Sequence, residues 1–179
     1  MSSTRRDSHT SYRACARHKR TLGFGLSLWL GIAAVNAIAA TCSVSTPGLA
    51  FGSYDVYAAG ATNGTGTLSI TCSKVVGDPN TVNISYTISL ATGSSGSYVQ
   101  RQMKSGTNFL GYNLYTSNTH SVVWGNGTGS TSTVSGTERL TNATPSRTNT
   151  HTVYGQIPPL QDVAVASNYL DNITVTVTY

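Results

Sequence analysis

Groups able to do acid–base, nucleophilic or metal chemistry are sparse beyond residue 39 of this sequence. Two histidines, His120 and His151, stand in polar stretches rich in Ser and Thr, and the only Glu, Glu138, lies between them. An active site needs such groups to converge, and no catalytic or metal-ligand motif joins these. Serines are abundant, and a triad assembled only in space would leave no sequence pattern. The sequence predicts a protein that is not an enzyme, with no metal and no cofactor, and with both histidines at the surface.

A glycine-rich run, GNGTG at residues 125–129, has the spacing of a phosphate-binding loop but not its context. It opens no predicted helix and belongs to no strand–helix–strand unit, so it offers no helix N-terminus to an anion. The longer run from Gly125 to Thr137 is low in complexity. We expect it to be a flexible connection between strands.

The first 39 residues have the three parts of a secretion signal. A basic stretch comes first, an apolar segment runs from Thr21 to Val35, and the small residues Ala37 and Ala39 suit signal peptidase. We place the cut after Ala39, with Ala40 as the close alternative. An uncleaved membrane anchor from Leu22 to Ala40 is the competing interpretation, but the apolar core is short for a membrane span.

Removing residues 1–39 changes the charge of the chain. That segment carries six basic side chains against one acid, Asp7, which accounts for the entire formal charge of +5. Residues 40–179 are then neutral, and their charges form no stripe that could follow a phosphate backbone. We therefore expect one domain over residues 40–179 with no nucleic-acid partner, and no membrane association once the leader is removed.

The cysteines of the exported part form an even pair. Cys15 leaves with the leader, so only Cys42 and Cys72 remain. Export favours a disulfide between them, and closing a loop of about 30 residues would stabilise the fold by roughly 3 to 4 kcal/mol. A metal site or a reactive thiol has less support, because neither cysteine has a His or a second Cys at ligand spacing.

Alternating apolar and polar residues dominate the rest of the chain. Val, Ile, Leu and Tyr alternate with Ser, Thr and Asn, which is the period of a strand with one buried face. Turn residues separate the alternating stretches, and no helical period occurs. Six or seven short strands predict an all-β fold, an antiparallel immunoglobulin-like sandwich. The predicted strands include residues 66–74, 82–90, 109–118, 120–124, 153–157 and 173–179.

The final predicted strand reaches the last residue of the sequence. It presents an apolar face composed of Ile173, Val175, Val177 and Tyr179. No hairpin partner follows it. One of its edges is expected to stay open unless an earlier strand of the same chain covers it.

Three blocks of the sequence resemble a known family: TCSVSTPGLAFGSYD from Thr41, GTLSITCS from Gly66, and YGQIPPLQDVAVASNYLDNITVTVTY from Tyr154. Together they are similar to the spore coat protein U family, whose domain is also that of archaic chaperone-usher pilins. The likeness covers essentially all of residues 40–179. It implies a non-enzymatic subunit with an incomplete immunoglobulin-like sandwich, completed by a strand that a partner donates.

The resemblance also implies roles for particular residues. Cys42 and Cys72 match the bridge of the family. The strand-acceptor groove would be lined by the inward face of the last strand: Ile173, Val175, Val177 and Tyr179. The implied partners are a periplasmic chaperone and then other coat or pilus subunits, and the implied route leads through the periplasm to the cell surface or spore coat.

One departure from the family concerns strand donation. Polymerising pilins carry a donor extension before the first cysteine, whereas Cys42 lies three residues past Ala39. The chain is therefore a terminal or tip component, a coat protein assembled by other contacts, or a chain whose leader is cut further upstream. Our hypothesis is a secreted structural subunit of a spore coat or chaperone-usher pilus. The alternative is an adhesive or carbohydrate-binding tip module.

Overall fold

The structure, a computed structural model, describes residues 40–166 and 168–179. The predicted leader, residues 1–39, lies outside the described residues. Within the described part the chain forms ten strands and one short 3₁₀ turn, Gly93–Ser95. The strands are β1 (Thr41–Ser45), β2 (Thr62–Ser73), β3 (Thr81–Leu90), β4 (Arg101–Ser105), β5 (Asn108–Tyr115), β6 (Val123–Trp124), β7 (Thr131–Ser132), β8 (Val134–Thr141), β9 (Ser146–Ile157) and β10 (Val175–Thr178).

The strands form two sheets. The larger sheet has the order β1-β2-β9-β5-β6-β7, with β4 paired to β5, and the smaller has the order β10-β3-β8. Neighbouring strands are antiparallel, except that the short strands β6 and β7 are parallel. The longest pairing joins β2 to β9, from Thr62↔Ile157 to Ser73↔Ser146. The predicted all-β immunoglobulin-like sandwich is confirmed.

The core lies between the sheets and uses the alternating residues that the sequence indicates. Apolar side chains at every second position of β2 and β3 are buried, while their neighbours are more exposed; in β5, Gly111 and Asn113 are buried as well as the apolar residues beside them. Trp124 of β6 is fully buried, and its indole Nε1 donates to the carbonyl of Ile88 at 3.0 Å. The buried apolar side chains of β2, β3 and β5 are Leu68, Ile70, Cys72, Val82, Ile84, Tyr86, Ile88, Leu90, Leu110, Tyr112 and Leu114.

The run from Gly125 to Thr137, expected to be a flexible connection, instead contributes to two strands. β8 begins within it and pairs with most of β3. Gly136 shows the reason, because a Cβ atom there would overlap the ring of Tyr86. The missing side chain lets Tyr86 lie across β8, so packing against a neighbour places this strand rather than its own apolar content.

Three predicted strands are shorter in the structure, and the one expected at residues 109–118 ends at Tyr115. The strand expected at residues 120–124 is limited to Val123–Trp124, and the final strand begins at Val175 rather than Ile173. His120 has a backbone φ of 51°, which is outside the strand region. Residues 158–174, which connect β9 to β10, meet the sheets at a bridge between Leu170 and Lys104.

Candidate functional site

The groups that could do acid–base chemistry have structural partners. Among the described residues, no group of three or more His, Cys, Asp or Glu side chains could hold a metal ion. His120 packs against the Tyr115 ring with centroids 5.2 Å apart, and His151 Nε2 shares a 2.9 Å hydrogen bond with the Tyr86 hydroxyl. Both histidines are half-buried by these contacts.

The hydroxyl of Tyr86 and the imidazole of His151 come from opposite sheets. Burial lowers the pKa of His151, which the nearby Glu138 carboxylate partly offsets, and burial raises the pKa of Tyr86. Both shifts favour neutral forms. A neutral hydrogen-bonded pair between two sheets is a structural link, and the candidate site lies elsewhere.

In the described part of the chain, β1, β4, β7, β8 and β10 each have an edge with no strand beside it, and β1 and β10 are the two that concern the candidate site. β1 ends the larger sheet and pairs only with β2, whereas β10 ends the smaller sheet and pairs only with β3. The two strands lie close together. Val44 of β1 alternates with Ser43 and Ser45 yet is 38% exposed. Such edges present free N–H and C=O groups to a further strand.

A cavity of about 300 Å³ lies between the sheets beside these edges. The chain just after β1 forms one wall with Leu49 and Phe51, and the start of the last strand forms another with Ile173 and Val175. Further apolar lining comes from strands β2, β3, β4, β5 and β9, through Leu68, Leu90, Met103, Leu114 and Val153. A mostly apolar wall of this kind suits aliphatic side chains.

A second cavity, of about 620 Å³, shares part of the same wall. Leu49, Phe51 and Met103 line both cavities, as do Tyr169 and Leu170 of the β9–β10 connection. The apolar lining is therefore continuous from one cavity to the other. We call the two cavities and the adjoining unpaired edges of β1 and β10 the open groove.

The four residues predicted to line an acceptor groove occupy different positions. Ile173 and Val175 line the smaller cavity. Val177 is half-buried and packs against the core, while Tyr179 is 56% exposed and lines neither cavity. The alternation predicted for this strand is present from Ile173 to Val177.

Along β10, the backbone N–H and C=O groups point alternately to β3 and to the open edge. The register pairs Val175 with Leu90, and the N–H of Ala91 donates to the carbonyl of Thr174 at 3.0 Å. In an antiparallel pair, residues bonded to the partner strand alternate with residues whose groups point away. The N–H and C=O groups of Val175 and Val177 therefore point to the open edge.

Leu49 and Phe51 line the groove, although the sequence pattern assigned them no role in it. Three glycines within β2 and β9 leave room for them: a Cβ on Gly64, Gly66 or Gly155 would lie 2.7 to 3.1 Å from their side chains. Glycine inside a strand marks a close approach by another segment. These glycines are the signal that could have located this wall of the groove.

A disulfide holds the open edge strand β1 to the larger sheet. Cys42 and Cys72 are directly opposite in the β1–β2 register, and their sulfurs are 2.02 Å apart. Cys72 is fully buried, whereas the other side chains of β1 are exposed. The bridge therefore supplies the main side-chain attachment of β1 to the sandwich.

Arg101 is a buried residue that hydrophobic patterning could not have found. Its side chain is fully buried, and its guanidinium donates to the Ala91 carbonyl, the Asn113 Oδ1 and the Trp124 carbonyl at 2.7 to 3.0 Å. Burial lowers its pKa. These bonds tie β4 to the end of β3, to β5 and to β6. Arg101 thus supports the base of the groove without lining it.

The fold and the groove together define a class of protein. It is a two-sheet sandwich in which two unpaired edges flank an apolar opening, and no metal cluster occurs in the part of the chain that the structure describes. This chain belongs to the Spore Coat Protein U domain family, whose model matches residues 29–176. The match confirms the resemblance seen in the sequence, and its first residues fall within the predicted leader.

Among solved structures, the chain is similar to part of the CsuC-CsuE chaperone-tip adhesion subunit pre-assembly complex from archaic chaperone-usher Csu pili of Acinetobacter baumannii. The identity is 20% and the TM-score is 0.45. The alignment covers 78% of this chain and 40% of that chain, so this chain spans less than half of the relative's length. A comparison with curated proteins gave no match. In the described residues, no helix has the length and apolar character needed to cross a membrane.

Proposed function

We propose that this protein is an exported structural subunit of a surface assembly, of the chaperone-usher pilus or spore coat type, that accepts a donated β-strand in the open groove. The observation that carries the proposal is the combination of two unpaired edges, β1 and β10, with an apolar opening between them. A donated strand would use backbone hydrogen bonds for affinity and alternate side chains for specificity. The partners are a periplasmic chaperone first and other coat or pilus subunits afterwards.

The orientation of the backbone groups along β10 supports binding by strand addition. The backbone groups of Val175 and Val177 point away from β3 to the unpaired edge, while their side chains face inward. An incoming strand can therefore add ladder hydrogen bonds to the smaller sheet and, with the same residues, cover half-buried valines. Val44, exposed on the facing strand β1, would be covered by the same event.

The groove residues differ in how deeply they would enclose the side chains of a donated strand. Ile173 and Val175 lie at its cavity end, and Val177 lies at its shallow end beside Tyr179. Donor side chains entering near Leu49 and Phe51 would be enclosed most deeply, because both cavities meet there. Apolar burial at that point supplies the largest share of the binding free energy.

A proline substitution tests the proposal with little change to the fold. Val177→Pro removes an N–H that points to the open edge and leaves the bonds between β10 and β3 in place. Val177→Ala is the matched control, since it shortens the side chain but keeps the N–H. The full chain would be produced in its native host with an affinity tag at Gly129, in an exposed loop away from the groove.

Copurified proteins would be identified by mass spectrometry, and the fold would be checked by circular dichroism. We expect the wild type and Val177→Ala to retain a chaperone or a second subunit, and Val177→Pro to lose it while remaining folded. Thr176→Pro, which removes an N–H directed at β3, should destabilise the fold itself. Equal retention of the partner by wild type and Val177→Pro would overturn the proposal.

A further inference from the structure

The sequence of β10 leaves its register with β3 poorly determined. Residues 172–179 read NITVTVTY, so a slip of one residue would turn threonines inward and is excluded by the hydrophobic pattern. A slip of two residues would place Ile173 opposite Leu90 and Val175 opposite Ile88, and would keep every inward residue apolar. Something outside the strand must select the observed pairing of Val175 with Leu90.

Asp171, four residues before Val175, makes three short hydrogen bonds. Its Oδ2 accepts from the Tyr112 hydroxyl at 2.8 Å, and its Oδ1 accepts from the Ser94 N–H and from the Asn172 N–H, both at 2.9 Å. Ser94 lies in the 3₁₀ turn that follows β3, and Tyr112 lies in β5. The carboxylate therefore holds the start of the last strand to both sheets.

Gly93 provides a second, independent observation on the same contact. Its φ is +68°, and a Cβ there would overlap the Asp171 carboxylate and the Ile173 side chain. A residue without a side chain is thus placed where the last strand approaches the turn after β3. Displacing the chain by two residues, about 7 Å along a strand, would break this fit and all the bonds to Ser94 and Tyr112.

We infer that Asp171 is the positioning residue that selects the register of β10, and through it the placement of the acceptor edge. The hydrogen bonds of the carboxylate exist in only one register, whereas the inward apolar face exists in several. The claim about register stands without the proposed function. Its consequence for strand acceptance rests on that function, because a two-residue slip would displace Ile173 from the cavity near Leu49 and Phe51.

Cysteine cross-linking in the purified mature protein measures the register directly, with no partner present. Ser89→Cys with Thr176→Cys reports the observed pairing, and Ser89→Cys with Thr174→Cys reports the two-residue slip that places Ile173 opposite Leu90. All three positions lie on the outer face, so the cysteines leave the core unchanged. Directly opposed residues in an antiparallel pair are about 5.5 Å apart at Cα, which is within disulfide range.

In the wild type, we expect the first pair to cross-link and the second to remain reduced. Asp171→Ala should raise the slipped cross-link about tenfold or more, because loss of charge-assisted hydrogen bonds shifts such an equilibrium by at least that factor. Asp162→Ala is the control, since Asp162 is an exposed acid in the same connection. It should leave both yields unchanged.

Tyr112→Phe removes one of the three bonds and keeps the carboxylate, which provides a milder variant if Asp171→Ala does not fold. It should give a slipped cross-link above the Asp162→Ala level. If Asp171→Ala folds and shows only the native cross-link, the inference is overturned. If Asp171→Ala does not fold, the same result in folded Tyr112→Phe overturns it. The copurification test with Val177→Pro is a separate readout, so failure of the proposed function and failure of the register claim remain distinguishable.

Discussion

Tyr86 of β3 and His151 of β9 join the two sheets through a hydrogen bond of 2.9 Å between the hydroxyl and Nε2. Their rings also meet edge to face, with centroids 5.8 Å apart. Glu138 of β8, 7% exposed, lies near both groups and forms an ion pair with Arg147 at 3.5 Å. The two sheets are thus linked by polar contacts between β3, β8 and β9.

The first prediction concerns pH and follows from the lowered pKa of His151. In the unfolded chain this histidine titrates near its ordinary pKa of about 6.5, so between that pH and its lower folded pKa the unfolded state binds more protons. Its contribution to stability is therefore present above about pH 6.5 and is lost as the pH falls through that window. Chemical unfolding at a series of pH values would measure the slope.

His151→Gln should flatten this slope, because it removes the titrating group while keeping a polar side chain opposite Tyr86. Because the carboxylates titrate in both proteins, their contribution to the pH dependence of stability cancels in this comparison. His120→Gln is the matched control, since His120 contacts a different tyrosine. If His151→Gln and the wild type lost stability in parallel between pH 6.5 and 5, the role given to His151 would be wrong.

The second prediction concerns the glycine beneath Tyr86. Gly136→Ala forces a methyl group against the buried ring and should cost about 1 to 3 kcal/mol through overpacking. Gly60→Ala is the control, because no atom lies within 4 Å of a Cβ there, and it should change stability by less than about 0.5 kcal/mol. Urea denaturation of both variants, read by tyrosine and tryptophan fluorescence, measures the difference. Equal stability of the two would contradict the packing described for β8.

The strands that alternation predicted are those whose buried residues are apolar. β2 and β3 follow from period two, because Leu68 and Ile84 stand among residues that favour strands. Alternation did not predict β8, because the position of this strand depends on the missing side chain of Gly136. It did not predict β4 either, because the most buried residue of that strand is Arg101, a type that composition assigns to the surface.

The candidate site, too, could be predicted only in part from the sequence. The inward face of the last strand was predicted from alternation, and Ile173 and Val175 do line a cavity. The opposite wall, with Leu49 and Phe51, arises because the chain after β1 folds over glycines in β2 and β9. Asp171 could not be given a role from the sequence, because its partners Ser94 and Tyr112 lie 77 and 59 residues away in the chain.

The third prediction concerns the bridge between β1 and β2. Replacing both cysteines, Cys42→Ala with Cys72→Ala, should reduce the free energy of unfolding by roughly 3 to 4 kcal/mol through loss of the cross-link. Because the other side chains of β1 are exposed, its amides should also exchange with solvent before those of β2. Hydrogen exchange and urea denaturation would test both statements. Reduction of the wild type with dithiothreitol should reproduce the effect; unchanged protection of β1 would contradict it.

The fourth prediction concerns Arg101, the fully buried cation of β4. Arg101→Met keeps the apolar stem but leaves the Ala91 carbonyl, the Asn113 Oδ1 and the Trp124 carbonyl without their guanidinium donor. Each buried polar group left unsatisfied costs about 1 to 3 kcal/mol, so we expect a loss of roughly 3 kcal/mol or more.

Arg139→Met is the matched control for that variant, because Arg139 is exposed on β8, and it should change stability by less than about 0.5 kcal/mol. Arg101→Lys should fall between wild type and Arg101→Met, since one ammonium keeps the charge but cannot reproduce the planar fork of donors. Thermal and urea unfolding of the three variants measure the order. Equal stability of Arg101→Met and Arg139→Met would show that Arg101 does not support the β4–β5 hairpin beneath the groove. Apolar packing, rather than the polar contacts of the guanidinium, would then hold that hairpin.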